Sequence, residues 1–173
     1  MNIIQNIKNF FLNNLAILIF YYLSFSTFEG FKEFSDITIF AFNLQMIIVY
    51  IYGLKFPDYL GNGHIFLAGI INDVVIGMPL GVSSLSYLVM SFITSYVREA
   101  TLRSKMSAEW IAFIPALFFS NLTYFIIVNN FSHLSFYYIE LLQNTFFTFL
   151  FFPFFYYLFN YFQTRILKDN AQF

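Results

Sequence analysis

The sequence predicts an all-α fold: a polytopic membrane bundle of about six transmembrane helices, with residues 1–173 forming a single integral membrane domain. The first observation is composition, because 60% of the 173 residues are hydrophobic and only 10% are charged. A soluble domain is typically about 45–50% apolar and about 25% charged. The second observation is that the apolar residues fall into six separate stretches, and a helix that crosses a bilayer needs about 20 of them.

The first three stretches are residues 10–28, 37–54 and 63–78. The first is long for the apolar part of a signal peptide and lacks an A-x-A cleavage site, so we predict a retained helix. The third is short. The last three stretches are residues 82–97, 110–128 and 139–162. Helices are expected throughout, because open strand edges leave backbone groups unsatisfied in lipid and the stretches lack the alternation of barrel strands.

The distribution of basic residues predicts the orientation. With six spans, both termini lie on the same side, together with Lys8, Lys55, Arg98, Arg103, Lys105, Arg165 and Lys168. Only Lys32 lies on the other side, beside Glu29, Glu33 and Asp36. Because loops rich in Lys and Arg stay in the cytoplasm, we expect a multi-pass membrane protein with both termini cytoplasmic.

The residues that carry chemistry are sparse. There is no cysteine, and the net charge of −1 argues against a nucleic-acid partner. His64 and His133 are predicted on opposite sides of the membrane, and neither has a metal-ligating neighbour at helical spacing. No Ser–His–acid set falls together. We therefore predict that the protein is not an enzyme and has no catalytic residue, metal site or cofactor.

One acidic residue stands within the third stretch, in line with three glycines. Asp73 shares a four-residue step with Gly69, Gly77 and Gly81, and ten positions after Gly63 it is expected about 15 Å along a helix, near mid-membrane. A carboxylate there costs about 2.5–3.5 kcal/mol on insertion scales. Residues four apart share a helix face, and small ones let another helix approach closely. We therefore predict a close-packed face with one buried acid.

Two interpretations of Asp73 remain open. In the functional one, its carboxylate binds an ion, a proton or a substrate. In the structural one, which we favour, it accepts hydrogen bonds from backbone N–H groups at residues 82–84, since the first N–H groups of a helix have no intrahelical acceptor. The turn "MPLG" at residues 78–81 brings these elements together, and Pro79 is expected to end the third helix.

The stretch "GNGHIFLAGIINDVVIGMPLGVSSLSYLVMSFITSYV" resembles the signature of the MreD family of bacterial rod shape-determining membrane proteins. The matching residues are Gly61, Gly63, Gly69, Asp73, Gly77, Leu80, Gly81, Leu85 and Tyr96. The last span is also similar, with Pro153 between two phenylalanines and a basic tail. The acidic loop "EGFKEFSD" and Asn72 depart from the family pattern.

The resemblance implies a non-enzymatic scaffold subunit of the cell-elongation machinery, which organises lateral peptidoglycan synthesis with MreC, MreB, RodA and a penicillin-binding transpeptidase. It marks Gly69, Asp73, Gly77, Leu80, Gly81 and Pro153 as motif residues, and Pro79 joins them as the residue expected to end the third helix. It also implies a fold like that of the substrate-binding component of energy-coupling-factor transporters. Six helices and one buried acid motivate an alternative function, a small-molecule-binding subunit of a transporter.

Overall fold

A computed structural model of the chain describes residues 15–25, 42–57, 60–100, 106–131 and 138–170. These residues form six α-helices and no strand. The helices are α1 (Leu15–Phe25), α2 (Leu44–Lys55), α3 (Asn62–Ile76), α4 (Val82–Ala100), α5 (Met106–Phe131) and α6 (Tyr138–Asn170). Each overlaps one of the six apolar stretches, so the predicted all-α class is confirmed.

Six full-length spans are not confirmed. In the described part of the chain, two segments are long and apolar enough to cross a membrane, Met106–Asn130 in α5 and Leu141–Tyr161 in α6. The α2 and α3 helices are apolar but have only 12 and 15 residues. The outer parts of the first two predicted spans lie outside the described residues, as do His133 and the loop charges Lys8, Glu29, Lys32, Glu33, Asp36, Arg103 and Lys105.

The α4 helix lies at the centre of the bundle and packs against α2, α3 and α5, while α1 packs on α2 and α3 and α6 on α2 and α5. Aromatic rings fill the space where α2, α5 and α6 meet. The Phe113 ring centroid lies 4.7 Å from the ring centroids of both Tyr50 and Phe152, and all three side chains are fully buried. This aromatic core connects α6 to α2 and α5.

The α4 helix has a polar buried side and an apolar exposed side. Its buried residues include Ser83, Ser84, Ser86, Ser91 and Thr94, whereas Phe92 is 77% and Tyr96 73% exposed. The hydroxyls of Ser86 and Thr94 donate to the carbonyls four residues earlier, at 3.0 Å and 2.6 Å. A helix on the surface of a soluble protein shows the opposite pattern. The exposed side of α4 is therefore suited to apolar surroundings.

Contacts between helices give the directions of the chain. Gln45 of α2 is bonded to Tyr87 of α4, and Arg98 of α4 donates to the carbonyl of Gly53 at 3.1 Å, so α2 and α4 run parallel. Along α3 the order is reversed, because Asp73 accepts from Ser83 whereas Asn62 accepts from the Ser91 hydroxyl at 2.8 Å. Consecutive helices in this part of the bundle therefore alternate in direction.

Candidate functional site

The turn between α3 and α4 contains most of the motif residues. We call Asp73, Gly77, Pro79, Gly81 and Ser83 the α3–α4 joint. The α3 helix ends at Ile76 and is capped by Gly77, whose φ of 72° is left-handed and whose N–H donates to the Asp73 carbonyl. The N–H of Met78 donates to the same carbonyl at 2.9 Å. Glycine takes this conformation without the strain that a Cβ would cause. The helix therefore ends three residues before Pro79 rather than at it.

The carboxylate of Asp73 joins the two helices. Its Oδ2 accepts the N–H of Gly81 at 2.8 Å, and its Oδ1 accepts the N–H of Ser83 at 2.9 Å. The Asp73 side chain is completely buried. These N–H groups, at and just before the first turn of α4, have no acceptor within their own helix, and the positive end of the helix dipole favours an anion there.

This is the arrangement that the structural interpretation predicted, with donors expected at residues 82–84. Ser83 lies in that range and Gly81 immediately precedes it. The sequence placed Asp73 near mid-membrane, and that depth stays a prediction. Asp73 lies in the last turn of α3, level with the first turn of α4. With 15 residues, α3 is about 22 Å long.

Gly69 brings the backbones of the two helices together, as predicted. A Cβ built on Gly69 would lie 2.6 Å from the backbone nitrogen of Ser84 and even closer to its Cα. Real Cβ atoms essentially never approach so closely. The Ser84 hydroxyl donates to the Phe66 carbonyl at 2.9 Å, a bond that this close approach makes possible. Gly69 therefore sets the distance between α3 and α4.

The prediction that Gly77 belongs to the same close-packed face is wrong. A Cβ on Gly77 or on Gly81 would have no neighbouring atom within 4 Å. Both residues have positive φ, 72° and 100°, so each is needed for the path of the turn rather than for helix contact. Leu80 is 69% exposed at the tip of this turn. The four-residue spacing could not separate these roles, because helical geometry stops at Ile76.

Sequence reasoning missed the contribution of Asn72. Its amide donates to the Ser83 hydroxyl at 3.1 Å, so Ser83 is held by neighbouring residues of α3 through its side chain and its backbone N–H. The signal available in the sequence was a polar residue beside the acid, with the serine pair Ser83–Ser84 following after the turn.

Other singled-out residues lie away from the joint. Pro153 lies inside α6, which packs on α2 and α5. His64 is exposed in the first turn of α3, with its Nδ1 3.2 Å from the Tyr21 hydroxyl. Within the described ranges, no group of three or more His, Cys, Asp or Glu residues is placed to hold a metal ion.

Comparison of the chain with family models, with curated proteins and with solved structures gives no match. What the α3–α4 joint can do therefore follows from its own geometry. Both carboxylate oxygens are engaged by backbone donors of the next helix, and the helices are in backbone contact at Gly69. This arrangement fixes the position of one helix on another.

Proposed function

We propose that this chain is a non-enzymatic membrane scaffold subunit of the bacterial cell-elongation machinery. It would organise lateral peptidoglycan synthesis together with an MreC-like membrane protein and, through it, MreB, RodA and a transpeptidase. The observation that carries the proposal is the α3–α4 joint. Residues that resemble the MreD signature act there as one structural unit, in which the buried acid serves to fix two helices.

We further propose that all six helices cross the cytoplasmic membrane, with both termini in the cytoplasm. The apolar exposed side of α4 supports this, although α4 is too polar overall to be recognised by hydropathy. The alternating helix directions support it as well. Lys55 and Arg98 lie at the same end of the bundle, since Lys55 pairs with Glu109 and Arg98 reaches the carbonyl of Gly53. That end is the cytoplasmic one if basic residues remain inside.

A topology experiment tests this arrangement. A reporter that is active only in the cytoplasm should be active when fused after Phe173 and inactive when inserted after Asn130, at the far end of α5. A periplasm-dependent reporter at the same two positions serves as the matched control and should give the inverse result. Activity of the cytoplasmic reporter after Asn130 would contradict the proposed orientation.

The scaffold function is tested by depletion and by isolation of partners. Depletion in the native rod-shaped host should widen and round the cells, and an MreC-like membrane protein should co-purify in mild detergent. Complementation with the wild-type gene is the control for the shape change. Unchanged cell width would exclude the scaffold function. Co-purification of an ATPase with a coupling subunit, or of a bound small molecule, would instead support the transporter alternative.

A further inference from the structure

Pro153 interrupts the hydrogen bonding inside α6. Proline has no backbone N–H, so the carbonyl four residues earlier, that of Phe149, does not receive its usual helical bond. Both residues lie within Leu141–Tyr161, the part of α6 that is long and apolar enough to cross a membrane. In hydrocarbon no water replaces the missing donor, and a proline is tolerated where a neighbouring helix supplies one.

The neighbouring helix α5 supplies that donor. The indole Nε1 of Trp110 donates to the Phe149 carbonyl at 3.0 Å. The same indole stacks on the Phe149 ring, with centroids 5.1 Å apart and planes 19° from parallel. Trp110 is the only tryptophan in the chain. The indole N–H of a tryptophan that is removed from water needs an acceptor. The Trp110 N–H and the Phe149 carbonyl therefore satisfy each other.

We propose that Pro153 and Trp110 act as one device that fixes α6 on α5 in a single axial and rotational position. A regular α-helix offers no free carbonyl in mid-helix, so the partner helix cannot recognise one position along it through the backbone. The proline creates one such carbonyl, and the indole recognises it. Sliding or rotating α6 by one residue would separate the indole from Phe149 and leave both groups unpaired.

Other contacts of α6, on either side of the bond between Trp110 and Phe149, depend on the same position of α6. Towards one end, the amide of Asn121 donates to the Thr145 hydroxyl at 2.8 Å, and the backbone N–H of Asn43 donates to the Thr148 hydroxyl at 2.8 Å. Towards the other end, the Tyr156 ring lies beneath the Lys55 ammonium, 5.6 Å from centroid to Nζ. The bond between Trp110 and Phe149 lies between these contacts and aligns both.

The test is a double-mutant cycle on the full-length protein in detergent. Trp110→Phe keeps the aromatic ring but removes the N–H, and Pro153→Ala restores a backbone N–H for the Phe149 carbonyl. We expect Trp110→Phe to lower the melting temperature by roughly 2–4 °C with Pro153 present, and by less than half as much in the Pro153→Ala background. Tyr157→Phe, an exposed change on the same helix, should have no effect.

An equal loss in both backgrounds would overturn the proposal, since Trp110 would then act independently of the proline. If Trp110→Phe does not fold, recovery of folded protein by adding Pro153→Ala supports the proposal, and failure to recover it overturns it. Amide hydrogen exchange gives a second measurement on folded Trp110→Phe. Faster exchange around residues 145–157, with the α3–α4 joint unchanged, is expected, and unchanged exchange in α6 would also contradict the device.

Discussion

Replacing Gly69 with alanine is expected to lower the melting temperature of the purified protein by roughly 3–10 °C, corresponding to an overpacking cost of about 1–3 kcal/mol. The added Cβ would collide with the backbone nitrogen and Cα of Ser84, and backbone atoms cannot move aside as a flexible side chain does. Gly69→Leu should cost more. Both variants should fail to restore rod shape in a depleted strain, if the proposed function holds.

Gly63→Ala is the matched control for this change. Gly63 lies in the same helix, and a Cβ there meets no atom within 4 Å. Since alanine favours the helix over glycine by about 1 kcal/mol, Gly63→Ala should be neutral or slightly stabilising. Phe20 is fully buried and is therefore unsuitable as a control. Equal melting temperatures for the Gly63 and Gly69 variants would refute the close contact between α3 and α4.

Replacing Asp73 should produce a graded loss in the order wild type, Asn, Ala, both in thermal stability and in rod-shape complementation. Alanine leaves the N–H groups of Gly81 and Ser83 without their acceptor, at about 1–3 kcal/mol for each one that stays buried. Asparagine keeps one acceptor oxygen but turns an NH₂ group towards the other N–H donor. Asp73→Asn should therefore be intermediate rather than fully functional.

A binding site for a proton or cation at Asp73 predicts a different result. Asparagine would then be as inactive as alanine, because the charge is lost, while both proteins would remain as stable as the wild type. Val74→Ala provides the control, since Val74 is the next residue of α3 and is 64% exposed. It should change neither stability nor shape. Thermal melts and complementation of all three variants separate the two interpretations of Asp73.

The chemistry of the α3–α4 joint was predictable because it depends on few residues close together in sequence. A carboxylate in an apolar helix, followed after a Pro-Leu-Gly turn by a new helix, has backbone N–H groups as its nearest donors. The separate roles of Gly69 and Gly77 could not be predicted. They share one spacing, and only the end of α3 at Ile76 shows that one is in helix contact and the other in a turn.

The long-range contacts had no signal in the sequence. Trp110 and Phe149 are 39 residues apart, and nothing in their surroundings indicates that an indole in α5 would meet the carbonyl freed by Pro153 in α6. The sequence also did not predict the polar buried side of α4. Its serines and threonine lower the average hydropathy, and only the packing shows that they face neighbouring helices while Phe92 and Tyr96 face outward.

The bond between Asp73 and the start of α4 has a consequence for biogenesis. The α3 helix alone would carry the carboxyl group of Asp73 without its two backbone donors, because both donors belong to the segment synthesised after it. The α4 helix alone would place its unpaired first N–H groups and a row of hydroxyls in the bilayer. In the proposed membrane arrangement, neither is a good substrate for the insertion machinery by itself. We therefore expect α3 and α4 to enter the bilayer together as a helical hairpin, and a chain that stops after Gly77 to leave α3 uninserted in a glycosylation-mapping assay.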